Sequence, residues 1–207
     1  MSTPDSRIRI VVVDDADVIA AAVTTLLSTV DAFDVVGTAS RGEQALTVID
    51  ELQPDLAVVD VDMPEMDGIE LTRRIVAAHP GCRVLLLTSL EGSGYLHRAL
   101  NAGASGYALK TSTADRLFDA IRTVAAGGVV VDPEMATAAL RLGPSPLTQR
   151  EADVLRRYGT GMPTPNVAAE LCLSKGTVRN YLSSAMTKLD AENRTEAYLT
   201  ATRHGWL

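Results

Sequence analysis

The stretch from Leu56 to Gly68 reads Leu-Ala-Val-Val-Asp-Val-Asp-Met-Pro-Glu-Met-Asp-Gly, so an apolar, valine-rich run ends abruptly in carboxylates, proline and glycine. This pattern predicts a buried strand that leads into a polar loop. Because the run has no polar position, the strand suits the middle of a parallel sheet, where both faces are covered. Asp60 would then lie at the carboxyl end of the strand, which is where open α/β sheets place their functional sites.

The residues on either side of this stretch alternate between strand and helix patterns. The predicted strands are Arg7–Val13, Phe33–Ala39, Leu56–Asp60, Arg83–Thr88 and Gly106–Leu109. The predicted helices are Asp17–Thr29, Ser40–Glu51, Gly68–Ala78, Gly94–Ala102 and Thr113–Ala126. Since parallel strands need right-handed helical crossovers, this alternation predicts a flavodoxin-like α/β fold, a doubly wound five-stranded parallel sheet of order 2-1-3-4-5.

Local patterns support the first two of these helices. The first carries apolar residues at helical spacing, namely Val18, Ala22, Leu26 and Val30. At the start of the second, Ser40 and Glu43 form the S-x-x-E pattern of a capping box.

The chain changes character after Gly127. We expect a first domain over residues 1–127, a linker over 128–145 and a second domain over 146–207. Within the linker, Val129–Val131 could be extended and Pro133–Leu142 could be helical, before Gly143-Pro-Ser-Pro146 breaks any element. Four short helices are predicted in the second domain, beginning at Thr148 (a capping box with Glu151), Thr164 (with Pro165 at the first helical position), Ser174, and Asn193 (with Glu196). They predict a compact all-α module.

The net charge of −7 is unevenly spread along the chain. Residues 1–144 carry eleven Lys/Arg and twenty Asp/Glu, a net of −9, whereas residues 145–207 carry eight and six, a net of +2. The acidic residues 1–144 should be repelled by nucleic acid, whereas the mildly basic residues 145–207 could bind it. The two cysteines, Cys82 and Cys172, lie in apolar patterns, which predicts small core residues in a reducing cytoplasm. No run has the length of a signal peptide or a membrane span.

Carboxylates follow the first and third predicted strands, at Asp14, Asp15 and Asp60. These strands are neighbours in the predicted order, so the three acids should crowd together and repel one another. Mg²⁺ would remove that repulsion, because it prefers a few carboxylates together with water and phosphate oxygens. Thr88 and Lys110 end the fourth and fifth strands at the same edge, where a hydroxyl and an ammonium suit a phosphoryl group on a carboxylate. The residues therefore predict phosphoryl transfer to Asp60 as the nucleophile.

Each of these residues taken singly has a more ordinary interpretation. Thr88 alone is more often a strand residue, Tyr107 alone more often ordinary packing, and Lys110 alone more often a surface charge. Their shared position at one sheet edge favours the functional interpretation. Asp67 is interpreted as a helix cap, with Gly68 supplying the turn.

Residues 7 to about 126 resemble the receiver domain of bacterial two-component response regulators. Five motifs carry the resemblance: Asp14-Asp15, Asp60 with Met63-Pro64, Asp67-Gly68, Thr88-Ser89, and Gly106-Tyr107-Ala-Leu-Lys110. The resemblance implies that Asp60 accepts phosphate from a sensor histidine kinase. It implies that Asp14, Asp15, Asp60 and the main-chain carbonyl of Asp62 hold Mg²⁺. It also implies a switch pair, in which the Thr88 hydroxyl moves toward the phosphoryl group and the Tyr107 ring turns inward. The family varies widely at Asp62, and we hypothesise that this second acid alters metal affinity or phosphoryl lifetime.

The helix predicted over residues 176–189 is amphipathic. Val178, Leu182, Ala185, Met186 and Leu189 fall on one stripe, and Gly176, Arg179, Asn180, Ser183 and Thr187 on the other. Arg179 and Asn180 suit base edges in the major groove, and Thr177 and Lys188 could reach phosphates. In a helix with no supporting motifs around it, such a polar stripe is more often an ordinary solvent-exposed face than a DNA-binding surface.

The tail, residues 147–207, is similar to the four-helix helix-turn-helix output domain of the NarL/FixJ (LuxR-type) subfamily of response regulators. The motifs are Leu147-Thr-Gln-Arg-Glu151, Asn166-Val-Ala-Ala-Glu-Leu171 and Leu173-Ser-Lys-Gly-Thr-Val-Arg-Asn-Tyr-Leu182. The run from Ser174 to Tyr181, with Asn193-Arg-Thr-Glu196, most resembles DesR-like regulators. The resemblance implies that helix 176–189 enters the major groove, with predicted DNA contacts at Lys175, Thr177, Arg179, Asn180, Ser183 and Lys188.

We therefore expect a cytoplasmic, DNA-binding transcriptional response regulator. Phosphorylation on Asp60 should promote a homodimer that binds double-stranded DNA at two half-sites. We expect no membrane partner and no enzymatic turnover beyond slow autodephosphorylation.

Two alternatives stay open. Asp60-Val-Asp62 also matches the D-x-D motif of aspartyl-phosphate phosphatases of the haloacid dehalogenase type, although there the motif ends the first strand and usually continues to Thr. The second alternative is an atypical regulator that binds DNA without phosphorylation, against which the acid triad and Lys110 argue.

Overall fold

The computed structural model describes residues 7–89 and 93–207. The chain divides near residue 136 into two compact units. The first contains a sheet with flanking helices, and the second is helical. In the described parts of the chain, no helix has the length and apolarity that crossing a bilayer requires.

A parallel sheet of order β2-β1-β3-β4-β5-β6 forms the middle of the first unit, counting the described strands. The strands are β1 (Ile8–Val13), β2 (Phe33–Ala39), β3 (Leu56–Val59), β4 (Arg83–Thr88), β5 (Gly106–Leu109) and β6 (Val130–Val131). The helices are α1 (Asp17–Leu27), α2 (Gly42–Leu52), α3 (Gly68–Ala78), α4 (Ser93–Asn101) and α5 (Ala114–Ala125), and α6 (Pro133–Leu142) spans the border between the two units. The α/β fold and the order of the first five strands are confirmed. A sixth, two-residue strand pairs with β5 inside the predicted linker.

Strand β3 is buried along its whole length, as its composition predicts. Its four residues, Leu56 to Val59, are at most 2% exposed. One face of the sheet packs against α1 and α5 through Leu27 and Ile121, both fully buried. Each such aliphatic side chain contributes about 1.5–3 kcal/mol when it leaves water. The apolar cover on both faces holds β3 in the middle of the sheet, so its polar end is positioned by a rigid frame.

The register of the strands determines which polar residues meet at the edge of the sheet. Val13 of β1 pairs with Val59 of β3, so the residues that follow them, Asp14 and Asp60, emerge side by side. Thr88 of β4 pairs with Leu109 of β5, so Lys110 emerges one position later at the same edge.

Helix α1 forms where it is predicted, but its inward face differs from the predicted apolar spacing. Of the predicted stripe, Leu26 and Val30 pack against the core, whereas Val18 is 80% exposed and Ala22 is exposed as well. The buried residues are Ala20 and Leu27. Since apolar residues occur on every side of this helix, their spacing does not select one face.

The capping box predicted at Ser40 and Glu43 is wrong. The N-cap of α2 is Arg41, which makes no side-chain cap bond. The backbone N–H of Ser40 donates instead to Gln44 Oε1 at 3.0 Å. Glu43 is free to accept from Arg74 of α3 at 2.8 Å. Helix α2 therefore begins one residue later than predicted, and Gln44 instead of Glu43 bonds back to Ser40.

After α6, the second unit forms four short helices, as predicted: α7 (Gln149–Gly159), α8 (Thr164–Glu170), α9 (Lys175–Lys188) and α10 (Arg194–Arg203). Side-chain caps form at three of the predicted positions, Thr148, Ser174 and Asn193. Helix α8 differs because its N-cap is Pro163, which places Thr164 at the first helical position. The core of the unit draws on all four helices, at Val154, Leu155, Val167, Val178, Leu182, Ala185, Ala197 and Ala201.

The two cysteines are both free, but only one is a core residue. Cys82 is 5% exposed, and burial raises the pKa of its thiol to about 11, with Asp55 adding to the effect. Cys172 is exposed and lies in the turn after α8 with φ 54°, so the prediction of a buried residue is wrong there. The turn between α8 and α9 needs a left-handed residue at this position, which directs the backbone away from a regular element.

Candidate functional site

Three carboxylates converge at the carboxyl edge of the sheet. One oxygen from each of Asp14, Asp15 and Asp60 can be chosen so that all lie within 4.8 Å of one another. Asp14 is 4% exposed and Asp60 is 7% exposed, whereas Asp15 is open to solvent. The structure thus brings together the three acids that the sequence predicts, and it leaves one of them accessible from outside.

Lys110 bridges two of these carboxylates. Its Nζ lies 2.6 Å from Asp14 Oδ2 and 3.1 Å from Asp60 Oδ2. The backbone N–H of Lys110 donates to the carbonyl of Thr88 at 2.8 Å, so the end of β4 holds the lysine in place. Burial would lower the pKa of the ammonium, but its hydrogen bonds to Asp14 and Asp60 leave that pKa above its ordinary value. Lys110 is therefore a fixed positive charge between the two acids.

The pKa of Asp60 is raised above its ordinary value. The cause is mainly burial, with a smaller contribution from the negative charge of Asp14. Lys110 opposes this effect, as does the backbone N–H of Val61, which donates to Asp60 Oδ1 at 2.8 Å. A carboxylate that has lost its water but keeps an ammonium beside it is a suitable nucleophile for an electrophilic phosphorus.

The loop after β3 folds back on the residue that starts it. The N–H of Gly68 donates to the carbonyl of Val61 at 2.9 Å. A Cβ on Gly68 would lie 2.0 Å from the carbonyl oxygen of Asp60, so only glycine fits this close approach. Asp67 caps α3 by accepting from the N–H of Glu70 at 2.7 Å, as predicted. Its other oxygen accepts from Arg98 of α4 at 3.1 Å, a contact that no local sequence pattern indicates.

The remaining predicted residues of the first unit lie at different depths. Thr88 and Tyr107 are both fully buried, so the ring of Tyr107 already lies inside the domain in this structure. Asp62 is exposed, two residues beyond Asp60.

The donor set at this edge fits a hard divalent cation. Three carboxylates meet one ammonium, so three negative charges minus one positive charge leave an excess of two. Carboxylate oxygens at this spacing are the ligands that Mg²⁺ prefers, and exposed Asp15 leaves room for the water that Mg²⁺ keeps.

In the second unit, α9 presents a polar face to solvent. Its exposed residues include Lys175, Arg179, Asn180, Ser183 and Thr187. The opposite stripe is buried as predicted, with Val178, Leu182 and Ala185 at most 1% exposed. Thr177 is half-buried, and its hydroxyl lies 2.8 Å from Ser174 Oγ at the cap. Of the six predicted DNA contacts, Lys175, Arg179, Asn180 and Ser183 share this open face.

Lys188 has a different environment. Its Nζ lies 2.7 Å from Oε2 of Glu151 on α7. Glu151 is 4% exposed, and the pattern that predicts its capping role does not predict this second role. The only sequence signal is an acid in the first turn of one helix and a lysine at the end of another, 37 residues apart.

Both units match known protein families. Residues 10–122 match the model of the response regulator receiver domain. Residues 145–201 match that of the bacterial regulatory proteins of the luxR family. Asp60-Val-Asp62 thus lies within a receiver domain of a transcription-regulator family, and these matches do not support the phosphatase alternative.

Relatives align along nearly the whole chain. The transcriptional regulatory protein YvfU of Bacillus subtilis (strain 168) is 38% identical over 200 residues, covering 97% of this chain and all of the relative. The transcriptional regulatory protein DesR of the same strain is 36% identical, with 96% of this chain and 98% of the relative covered. Among solved structures, the response regulator ChrA of a heme-sensing two-component system is 32% identical, with a TM-score of 0.59, and covers 98% of this chain and all of that one. The chain therefore belongs to the two-component response regulators of the NarL/FixJ type, with a receiver domain and a LuxR-type DNA-binding domain.

Proposed function

We propose that Asp60 accepts a phosphoryl group from the phosphohistidine of a sensor kinase and that this charge controls operator binding by the second domain. The observation that carries the proposal is the contact of one ammonium, Lys110, with both Asp14 and Asp60 inside an acidic cluster. Such a site holds a nucleophilic carboxylate next to an ammonium that can bind phosphoryl oxygens. We propose domain borders after residue 127 and after residue 145.

The transfer forms one bond and breaks another. A carboxylate oxygen of Asp60 attacks phosphorus while the P–N bond to the kinase histidine breaks, and the imidazole leaves with the electron pair and takes up a proton. The product is an acyl phosphate on Asp60. The Lys110 ammonium would then contact a phosphoryl oxygen, and the Thr88 hydroxyl would donate to another. Burial of Asp60 at 7% exposure limits the access of water to the product.

We assign the metal ligands to Asp14, Asp15, Asp60 and the main-chain carbonyl of Asp62. When bound there, Mg²⁺ supplies positive charge that offsets the oxygens of the incoming phosphoryl group. Asp15 is the member of this set that solvent reaches, so it would hold the side of the site through which a donor enters.

The acyl phosphate would act on the rest of the receiver through Thr88 and Tyr107. A hydroxyl drawn toward the phosphoryl group would leave space near β5, and the ring of Tyr107, which is already buried in this structure, would shift into that space. The altered surface would favour a homodimer, which presents two DNA-binding domains to two half-sites. Linking two weak binders raises overall affinity without new contacts, and this suits a domain with a net charge of only +2.

We propose that the open face of α9 reads the major groove. Arg179 and Asn180 are suited to base edges, since a guanidinium can donate two bonds to guanine and an amide can pair with adenine. Lys175 and Thr177, near the start of the helix, and Ser183 would contact phosphates or flanking bases. We place the protein in the cytoplasm, where the chromosome lies and where free thiols such as those of this chain stay reduced.

The acceptor can be tested with a matched pair of substitutions on one strand. Asp60→Asn removes the proposed nucleophile, and Asp55→Asn changes the same residue type at the opposite, exposed end of β3. Each protein would be incubated with acetyl phosphate and Mg²⁺, and phosphorylation would be measured by intact mass. We expect incorporation in the wild type and in Asp55→Asn, and none in Asp60→Asn.

Incorporation that persists in Asp60→Asn would move the acceptor elsewhere. If the wild type takes up no phosphate from acetyl phosphate or from a kinase, the receiver does not signal by phosphorylation, and the alternative of an atypical regulator prevails. Genome-wide mapping of bound DNA with and without phosphodonor then measures whether the modification changes operator occupancy. We expect more sites, occurring as paired half-sites, when phosphodonor is present.

The exposed acid at Asp62 has a separate test. Its charge would repel the anionic product or attract the metal, so we expect Asp62→Asn to change the lifetime of the acyl phosphate. The measurement is the rate of phosphate loss after the donor is removed. An unchanged rate would show that only the carbonyl of Asp62 matters.

A further inference from the structure

Glu151 on α7 is a buried carboxylate with more partners than a helix cap needs. Its Oε2 accepts from the backbone N–H of Thr148 at 2.7 Å and from the Thr148 hydroxyl at 2.9 Å, which completes the capping box. The hydroxyl of Ser184 donates to Oε1 at 2.6 Å, and Lys188 Nζ donates to Oε2 at 2.7 Å. These last two contacts come from α9, the helix with the DNA-facing surface.

The two contacts lie on one flank of α9, away from its open face. Ser184 and Lys188 are four residues apart, so they point to the same side of the helix. Lys188 is five residues from Ser183, which places it about 140° around the helix from the centre of the open face at 3.6 residues per turn. Its side chain is 34% exposed, compared with 5% for the Glu151 side chain. The ammonium of Lys188 therefore reaches toward Glu151 of α7, while part of the side chain stays in solvent.

The hydrogen bonds and the ion pair of Glu151 hold its carboxylate in one orientation. Burial by itself would raise the pKa of Glu151, but the hydrogen bonds from Lys188, Ser184 and Thr148 lower it to about 2. The carboxylate is thus ionised and hydrogen-bonded to these three residues. A group that accepts from two side chains of α9 limits both the rotation of that helix about its axis and its sliding along α7.

We propose that Glu151 is a positioning residue for DNA recognition and that Lys188 is its counter-ion instead of a phosphate contact. Glu151 sets the angle at which Arg179 and Asn180 meet the base edges, although it touches no DNA itself. The proposal rests on the proposed role of α9 as the DNA-reading helix. It replaces the role in phosphate binding that the sequence predicts for Lys188.

The dependence of DNA affinity on salt distinguishes the two roles of Lys188. A lysine on a phosphate releases counterions, so its removal lowers the slope of log affinity against log salt by about 0.9 for each contact. A lysine paired inside the protein contributes nothing to that slope. Lys175 is the matched control, because it is exposed and makes no ion pair with the described residues.

The experiment measures binding of the full-length, phosphorylated chain to an operator duplex recovered by genome-wide mapping and to a scrambled duplex of equal length. Wild type is compared at several salt concentrations with Lys188→Met, Lys188→Arg, Glu151→Gln, Ser184→Ala, Lys175→Met and Arg179→Ala. For Lys188→Met and Glu151→Gln we expect operator affinity to fall about tenfold or more, with an unchanged salt slope and a lower ratio of operator to scrambled binding. Ser184→Ala should lose about two- to threefold, and Lys175→Met should lower the slope. Lys188→Arg should restore most of the affinity.

Three results would overturn the proposal. A slope that falls in Lys188→Met as much as in Lys175→Met would make Lys188 a phosphate contact. An unchanged specificity ratio in both Glu151→Gln and Ser184→Ala would remove the positioning role, and the Ser184 variant decides the case if the Glu151 variant does not fold. If Lys175→Met and Arg179→Ala bind like the wild type, α9 does not read DNA, and the proposed function falls together with this inference.

Discussion

Replacing Glu151 by Gln should make the stability of the helical domain depend less on pH. The carboxyl is 4% exposed, and its pKa is lowered from 4.5 to about 2 by Lys188, Ser184 and Thr148 acting against burial. At 1.36 kcal/mol per pKa unit, the difference between 4.5 and about 2 corresponds to roughly 3 kcal/mol of folding free energy. Because the folded pKa is the lower one, this contribution is complete above about pH 4.5 and is lost as the pH falls toward 2.

The chain offers a selective probe for this domain. Its single tryptophan, Trp206, packs against the core of the helical unit, so tryptophan fluorescence during urea unfolding follows that unit. Transition midpoints are compared instead of fluorescence amplitudes. We expect Glu151→Gln to lower the unfolding free energy by about 2–3 kcal/mol at pH 7. The difference from wild type should shrink between pH 4.5 and pH 3.

Glu170→Gln is the control for this measurement. Glu170 pairs with Arg157, and both side chains are about 40% exposed, so the pair should be worth less than about 1 kcal/mol at any pH. The reasoning is refuted if the loss in Glu151→Gln stays constant from pH 7 to pH 3, or if it is no larger than the loss in Glu170→Gln. Either result would mean that the negative charge of Glu151 does not contribute to the stability of the domain.

Two further predictions concern the first domain, and a third compares the two cysteines. Asp67→Ala should cost about 1 kcal/mol in urea unfolding and Asp67→Asn much less, because asparagine also caps α3; equal losses would mean that the cap is not the cause. Gly68→Ala places a Cβ 2.0 Å from the carbonyl of Asp60, so it should lower both stability and phosphate incorporation, and normal incorporation by mass spectrometry would contradict this. In native protein a thiol reagent should modify exposed Cys172 quickly and Cys82 slowly, since burial raises the pKa of Cys82 to about 11; equal rates would contradict the burial of Cys82.

Features set by short-range chemistry were predictable from the sequence. The change from valine to aspartate after Val59 marks the end of β3, because a buried carboxylate needs polar partners, which Asp60 finds at the edge of the sheet in Lys110 and the N–H of Val61. The caps at Thr148, Ser174 and Asn193 form as predicted, since each cap bond joins residues three apart in the chain. The capping box at Ser40 and Glu43 fails because α2 begins one residue later than predicted, with Arg41 as its N-cap, so that Gln44 instead of Glu43 lies at the third helical position.

The sequence by itself determined the order of strands and helices, the strand ends that carry acids, and the family of each domain, because local periodicity and short motifs encode them. Only the tertiary structure decided which face of α1 is buried, why position 68 must be glycine, and which partner Lys188 takes. Each of these depends on atoms that the chain brings together from distant positions. Packing and electrostatic pairing act over a few ångströms in space regardless of separation in sequence, so no local pattern contains them.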